Sequence, residues 1–191
     1  NILPSWDSMY NFAGTCATYS SGRCFLEFFG KISSKYDMPW VNGALSLLYI
    51  SLASIQLVEL FELQESSSCV LLALRIVSFP TVTASFAFLV TADCYMMAFL
   101  MAVLGFYLTR KYQYGIFSGI ICIGLSIGTY QAYISVMLCV LLVMFARDLL
   151  IKQKDFKSFL QNNWKYIPLL LGGFLFYKIA SAIINAYYHI T

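Results

Sequence analysis

The sequence predicts an all-α integral membrane protein, a polytopic helical bundle of about six transmembrane helices with an outer interfacial helix. Three observations carry this prediction. Of 191 residues, 60% are apolar and only 11% are charged, against roughly 25% charged in a soluble domain. The apolar residues run in long blocks, and Gly and Pro are scarce, which excludes a disordered chain, a collagen-like chain and a small disulfide scaffold. The basic residues gather between blocks, so they give the blocks a direction. A net charge of +3 offers no case for a nucleic-acid partner, and the partner that composition demands is the lipid bilayer.

Residues 1–39 are too polar to cross and form an extracytoplasmic segment. Within it Phe25, Phe28, Phe29 and Ile32 recur at helical spacing, with Arg23, Glu27, Lys31 and Lys35 interleaved, the pattern of a helix lying in the interface. Trp6 and Trp40 stand where interfacial anchors belong. Asn1 opens the chain and no charged stretch with a cleavage site precedes the apolar blocks, so no signal peptide is expected and the start reads as clipped. Residues 40–191 form one transmembrane bundle, with no internal repeat or linker dividing it.

A helix needs about 20 apolar residues to cross. The expected passes are Trp40–Leu63, Cys69–Val90, Ala92–Thr109, Gly115–Ile127, Tyr130–Ala146 and Ile167–Ala186. The stretch from Gly115 to Ala146 requires an argument, because as one helix it would run about 48 Å across a core of about 30 Å. Arg110 and Lys111 precede it, and Arg147, Lys152, Lys154 and Lys157 follow it. Basic loops on the cytoplasmic side place both ends inside, so the stretch turns back, most naturally at Gly128 and Thr129. The cytoplasmic loops are then Gln64–Ser68, Arg110–Tyr114 and Arg147–Tyr166, and the outer face receives residues 1–39, turns near Asp93 and Gly128, and the tail from Tyr187.

The six cysteines show no CxxC spacing and four lie inside apolar blocks, so they read as core residues; Cys16 and Cys24 are the one pair close enough in sequence to consider as a disulfide. Ionisable residues at membrane depth are costly and therefore informative. Glu59 and Arg75 lie at matching depth on consecutive antiparallel spans and are expected to pair, docking two helices. Asp93 opens an apolar helix, either as a first-turn acid complementing the helix dipole or as a carboxylate at the mouth of an outward cavity, where Pro80 could bend the preceding helix and open space. Lys178 lies in the outer half of the last span, where its stem either snorkels to the interface or offers a cation to a phosphate. Asp7, Arg23, Asp93, Tyr95, Tyr130, Gln131 and His189 all fall at the outer face under this topology. His189 alone supports no metal site.

At these residues the sequence resembles the type II O-antigen glucosyltransferases of bacteria and their phages. The strings that carry the resemblance are Asp7 through Asn11, Ser21-Gly22-Arg23, Phe79-Pro80, Ala92-Asp93-Cys94-Tyr95, and Ser126 through Tyr133. Cys24 stands where that family tends to have an aromatic residue, and its members are longer, so the chain resembles their N-terminal part without the first transmembrane helix. The resemblance implies a C-type glycosyltransferase fold in the cytoplasmic (inner) membrane. It further implies transfer of a glucosyl group from a polyprenyl-phosphate sugar donor to O-antigen or another cell-surface polysaccharide or lipid-linked glycan, on the outer side.

Under the same resemblance Asp7 is the general base for the acceptor hydroxyl, and Asp93 is the second catalytic acid, orienting Arg23, the acceptor or the base. Arg23 or Lys178 neutralises the departing lipid phosphate, while Tyr95, Tyr130 and Gln131 face the sugar. A monophosphate leaving group can be neutralised by protein cations, so no cofactor is demanded; a divalent site would want a tighter carboxylate cluster, with one ion shared by Asp7 and Asp93 as the alternative. Two other classes fit the charge pattern: a transporter or flippase for a lipid-linked sugar, which predicts a pathway open to both faces, and a non-catalytic membrane subunit whose charges only fix helix packing.

Overall fold

The computed structural model describes residues 22–32, 38–86, 88, 91–150, 161 and 163–187, which are mostly helical, with no strand among them. The elements are α1 (Leu26–Gly30), α2 (Pro39–Leu60), α3 (Ser66–Val77), α4 (Pro80–Ser85), α5 (Ala92–Lys111), α6 (Gly115–Thr129), α7 (Tyr133–Leu150) and α8 (Tyr166–Tyr187). Four of them, α2, α5, α7 and α8, are long and apolar enough to cross a membrane.

The helix α5 is the centre of the bundle. It packs against α2 on one side and α6 on the other, and α6 in turn packs against α8. Its buried residues, among them Met96, Ala98, Val103 and Phe106, go nearly all round the helix, as expected of an element enclosed by its neighbours. The α5–α6 and α6–α8 contacts are close because they are built on glycine. A Cβ at Gly119 would come within 2.8 Å of the Gly105 carbonyl oxygen, and one at Gly173 within 2.3 Å of the Ile123 side chain. Small residues let helix backbones approach where lipid supplies no hydrophobic drive. Ser126 adds a buried hydrogen bond of 2.7 Å from its hydroxyl to the Ala98 carbonyl.

The second expected pass, Cys69–Val90, is corrected by the structure. The chain breaks at Phe79, which is extended (φ −68°, ψ 128°), leaving the 12-residue α3 and the 6-residue α4. Pro80 lacks an N–H and crowds the preceding residue out of the helical region, so it ends one helix and starts the next. The turn after α6 falls at Tyr130–Ala132 rather than Gly128–Thr129. Gly128 and Thr129 are held in the helix because both are buried there, and the Thr129 hydroxyl donates to the Leu125 carbonyl.

The expected interfacial helix is shorter and more deeply docked than its spacing suggests. The helix α1 has five residues, with Leu26 and Phe29 buried against the bundle and Phe28 exposed. Trp40 is 88% exposed in the first turn of α2; Trp6 lies outside the described residues.

The expected pair of Glu59 with Arg75 is also corrected. Glu59 accepts from Lys111 at 2.6 Å and from the Tyr107 hydroxyl at 2.8 Å, both on α5. Arg75 is exposed on α3. Beside Glu59, the Glu62 carboxylate bridges Arg110 at 2.7 Å and Arg147 at 2.8 Å, and Asp148 lies 3.6 Å from Arg110. These residues join α2, α5 and α7 at one end of the bundle.

Candidate functional site

The opposite end is built differently. Asp93 and Arg110 are 17 residues apart on α5, so at about 1.5 Å per residue the two ends are separated by roughly 25 Å. The turn at Gly22 and Arg23 comes back over the start of α5 and the end of α6. Gly22 takes a left-handed φ of +75°, a conformation suited to glycine. The chain is then tied down by a hydrogen bond of 3.0 Å from the Phe25 N–H to the Gly128 carbonyl, and by Phe25 stacking on Phe176 of α8.

This turn carries Arg23 onto an aromatic wall. The guanidinium donates to the Tyr95 hydroxyl at 3.4 Å and lies 5.0 Å from the centre of the Tyr130 ring, within the range of a cation–π contact. Tyr95 and Tyr130 are 4.7 Å apart, centre to centre, and Tyr130 meets Tyr133 edge-on at 5.8 Å. Tyr133 is the first residue of α7, so three elements supply the wall. A cavity of about 330 Å³ opens beside it, lined by Arg23, Tyr95, Tyr130 and Tyr133 together with Thr81, Ser85 and Phe88. Thr81 and Ser85 belong to α4, the short helix that begins at Pro80 after the extended Phe79.

The structure therefore brings Arg23, Tyr95 and Tyr130 together, as the sequence reading expects. It sets three other residues apart. Asp93 is 2% exposed in the first turn of α5, where a carboxylate complements the helix dipole. It is not among the described residues that line the cavity. Gln131 donates its side-chain amide to the Tyr177 hydroxyl at 2.7 Å. Lys178 is exposed on α8, its ammonium 5.5 Å from the Phe174 ring centre and 5.9 Å from that of Tyr177. Asp7 and His189 lie outside the described residues.

Sequence reasoning missed Tyr133, Thr81, Ser85 and Tyr177. The available signal for Tyr133 was its place three residues after Tyr130 across a turn. Tyr177 carried none beyond its neighbour Lys178. Of the pair Cys16 and Cys24, Cys16 lies outside the described residues and Cys24 is a free thiol. It is buried beside Gly128, and burial pushes its thiol pKa up, which makes it an inert packing residue. Among the described residues no three His, Cys, Asp or Glu side chains converge as a metal site would require.

No curated protein and no solved structure matches the chain. A family model does, over residues 1–190, described as glucosyl transferase GtrII. With a match of that extent, on a helical chain that carries an arginine and a tyrosine wall at one end of its bundle, this protein belongs to the glucosyl transferase GtrII family.

Proposed function

We propose that the protein is a membrane glucosyltransferase that takes a glucosyl group from a polyprenyl-phosphate donor and passes it to a cell-surface polysaccharide or lipid-linked glycan on the outer side of the cytoplasmic membrane. The observation that carries this reading is Arg23, a permanent cation held by neutral partners against a tyrosine wall, on a cavity of about 330 Å³. That volume falls within the range of small-molecule sites, roughly 300–1,000 Å³. Tyrosine offers both an apolar ring face for a sugar and a hydroxyl for its polar edge. An arginine fork suits the oxygens of a phosphate.

In the reaction the acceptor hydroxyl attacks the anomeric carbon, and the bond from that carbon to the lipid phosphate breaks. The hydroxyl proton passes to Asp7 as general base, and the negative charge that develops on the phosphate is met by Arg23. Tyr95 and Tyr130 orient the sugar beside it. Asp93, buried at the start of α5, acts from behind the wall by fixing the helix end that bears Tyr95. Placing the basic loops inside sets the Arg23 end on the outer side.

Membranes containing the protein, given radiolabelled polyprenyl-phosphate glucose, should incorporate label into polysaccharide. Asp7→Asn should abolish incorporation at unchanged protein level, and normal incorporation by that variant would remove Asp7 from the mechanism. Label that crosses the bilayer without incorporation would make the protein a transporter instead.

A further inference from the structure

We infer that Tyr177 and Gln131 are positioning residues that clamp the Gly22–Arg23 turn and so present the guanidinium to the cavity; their value to donor binding rests on the transfer reading above. The clamp is a directional relay. Gln131 donates to the Tyr177 hydroxyl at 2.7 Å, and that hydroxyl donates to the Gly22 carbonyl at 3.1 Å. One residue comes from the turn between α6 and α7 and the other from α8, so the relay ties the Arg23 turn to two elements at once. Tyr177 is 5% exposed, and its hydroxyl uses one acceptor and one donor function within the relay.

The backbone at Gly22 is shaped to this pair. Its φ is +75°, and a Cβ there would come within 2.6 Å of the Gln131 amide nitrogen and 3.0 Å of the Tyr177 hydroxyl. Only a residue without a side chain lets the relay close on the carbonyl. Three residues later the Phe25 N–H is bonded to Gly128, so both sides of Arg23 are tied down. Among the described residues the contacts of the Arg23 side chain itself are loose, a hydrogen bond of 3.4 Å and a ring at 5.0 Å. A long hydrogen bond holds a flexible side chain weakly, and the direction of the guanidinium therefore depends on the backbone that the relay fixes.

The test uses the protein in lipid nanodiscs, with Tyr177→Phe to delete the hydroxyl while keeping the ring, and Gly22→Ala to displace the relay from the other side. Two readouts are taken. Hydrogen exchange at the Phe25 amide should quicken roughly five- to tenfold in both variants, the factor expected for losing one or two neutral hydrogen bonds. The KM for polyprenyl-phosphate glucose should rise and kcat fall, so that kcat/KM drops by a similar factor, because Arg23 meets the phosphate both as it binds and as its charge develops. In an Arg23→Ala background neither substitution should change KM further, because a positioning residue has nothing left to position.

Unchanged exchange in both variants, or a full KM effect that persists without Arg23, would overturn the clamp. If the unaltered protein transfers no glucosyl group, the transfer reading fails, while quickened exchange would still establish the clamp and unchanged exchange would still refute it.

Discussion

The two ends of the bundle treat their cations in opposite ways. At the Glu62 end, three cations are matched to carboxylates: Arg110 meets Glu62 and Asp148, Arg147 meets Glu62, and Lys111 meets Glu59. At the Arg23 end the guanidinium rests on a hydroxyl and a ring, and no carboxylate pairs with it among the described residues. An arginine bonded to carboxylates has its charge neutralised locally and its donors occupied. An arginine on tyrosines keeps both available to an anionic ligand. The first arrangement joins α2, α5 and α7; the second leaves a charge facing a cavity.

The largest expected effect follows from the Arg23 end. Arg23→Ala should lower glucosyl transfer by about 10²–10³, the usual loss when one charge-stabilising donor is removed from a reacting centre, without reducing the amount of folded protein. Transfer assays on membranes, beside a thermal melt in detergent, measure both. Transfer within a few-fold of normal would put Arg23 outside the site and leave the two ends functionally alike.

A smaller effect of a different kind belongs to the other end. Glu62→Gln leaves Arg110 and Arg147 facing a neutral amide and should lower stability by about 1 kcal/mol, given the partial exposure of the group, with KM for the donor unchanged. A melt and donor kinetics on the same preparation test it. If KM moves as much as stability, the separation of structural from functional charge fails.

The smallest effect concerns Lys165, just before α8, whose ammonium donates to the Thr109 carbonyl. Burial pushes its pKa below the usual lysine value, helped by the nearby positive charge of Arg110. Between the lowered folded value and the ordinary unfolded one, the unfolded chain binds more protons than the folded, so this group makes stability rise with pH there. Lys165→Gln should flatten that rise in melts taken on the alkaline side of neutral. An unchanged slope would show that burial at this end is shallower than the structure has it.

Much of the fold was legible because the solvent of this protein is lipid. Low charge and long apolar blocks identified helices, and the basic loops identified which residues share an end. The Arg23, Tyr95 and Tyr130 grouping was legible for the same reason, since residues near neighbouring helix ends must gather at one face. Partner choice was not. Glu59 and Arg75 match in depth, but depth leaves open the angle around the helix axis, which advances about 100° per residue; Glu59 faces α5 and finds Lys111.

Tyr177 and Lys178 show the same limit on α8. They are consecutive, yet one hydroxyl is buried against the Gly22 turn and the other side chain is exposed. The break at Pro80 was visible as a proline, while the cavity depended on α4 and the Tyr130 and Tyr133 rings being brought to the same place. Composition and charge order were enough to establish a helical membrane chain and its two unlike ends, because burial in lipid is a property of each segment alone. Which side chains meet, and so which cation is neutralised and which remains available, came from packing, because rotation about the helix axes and close approach at glycine are properties of neighbouring helices together.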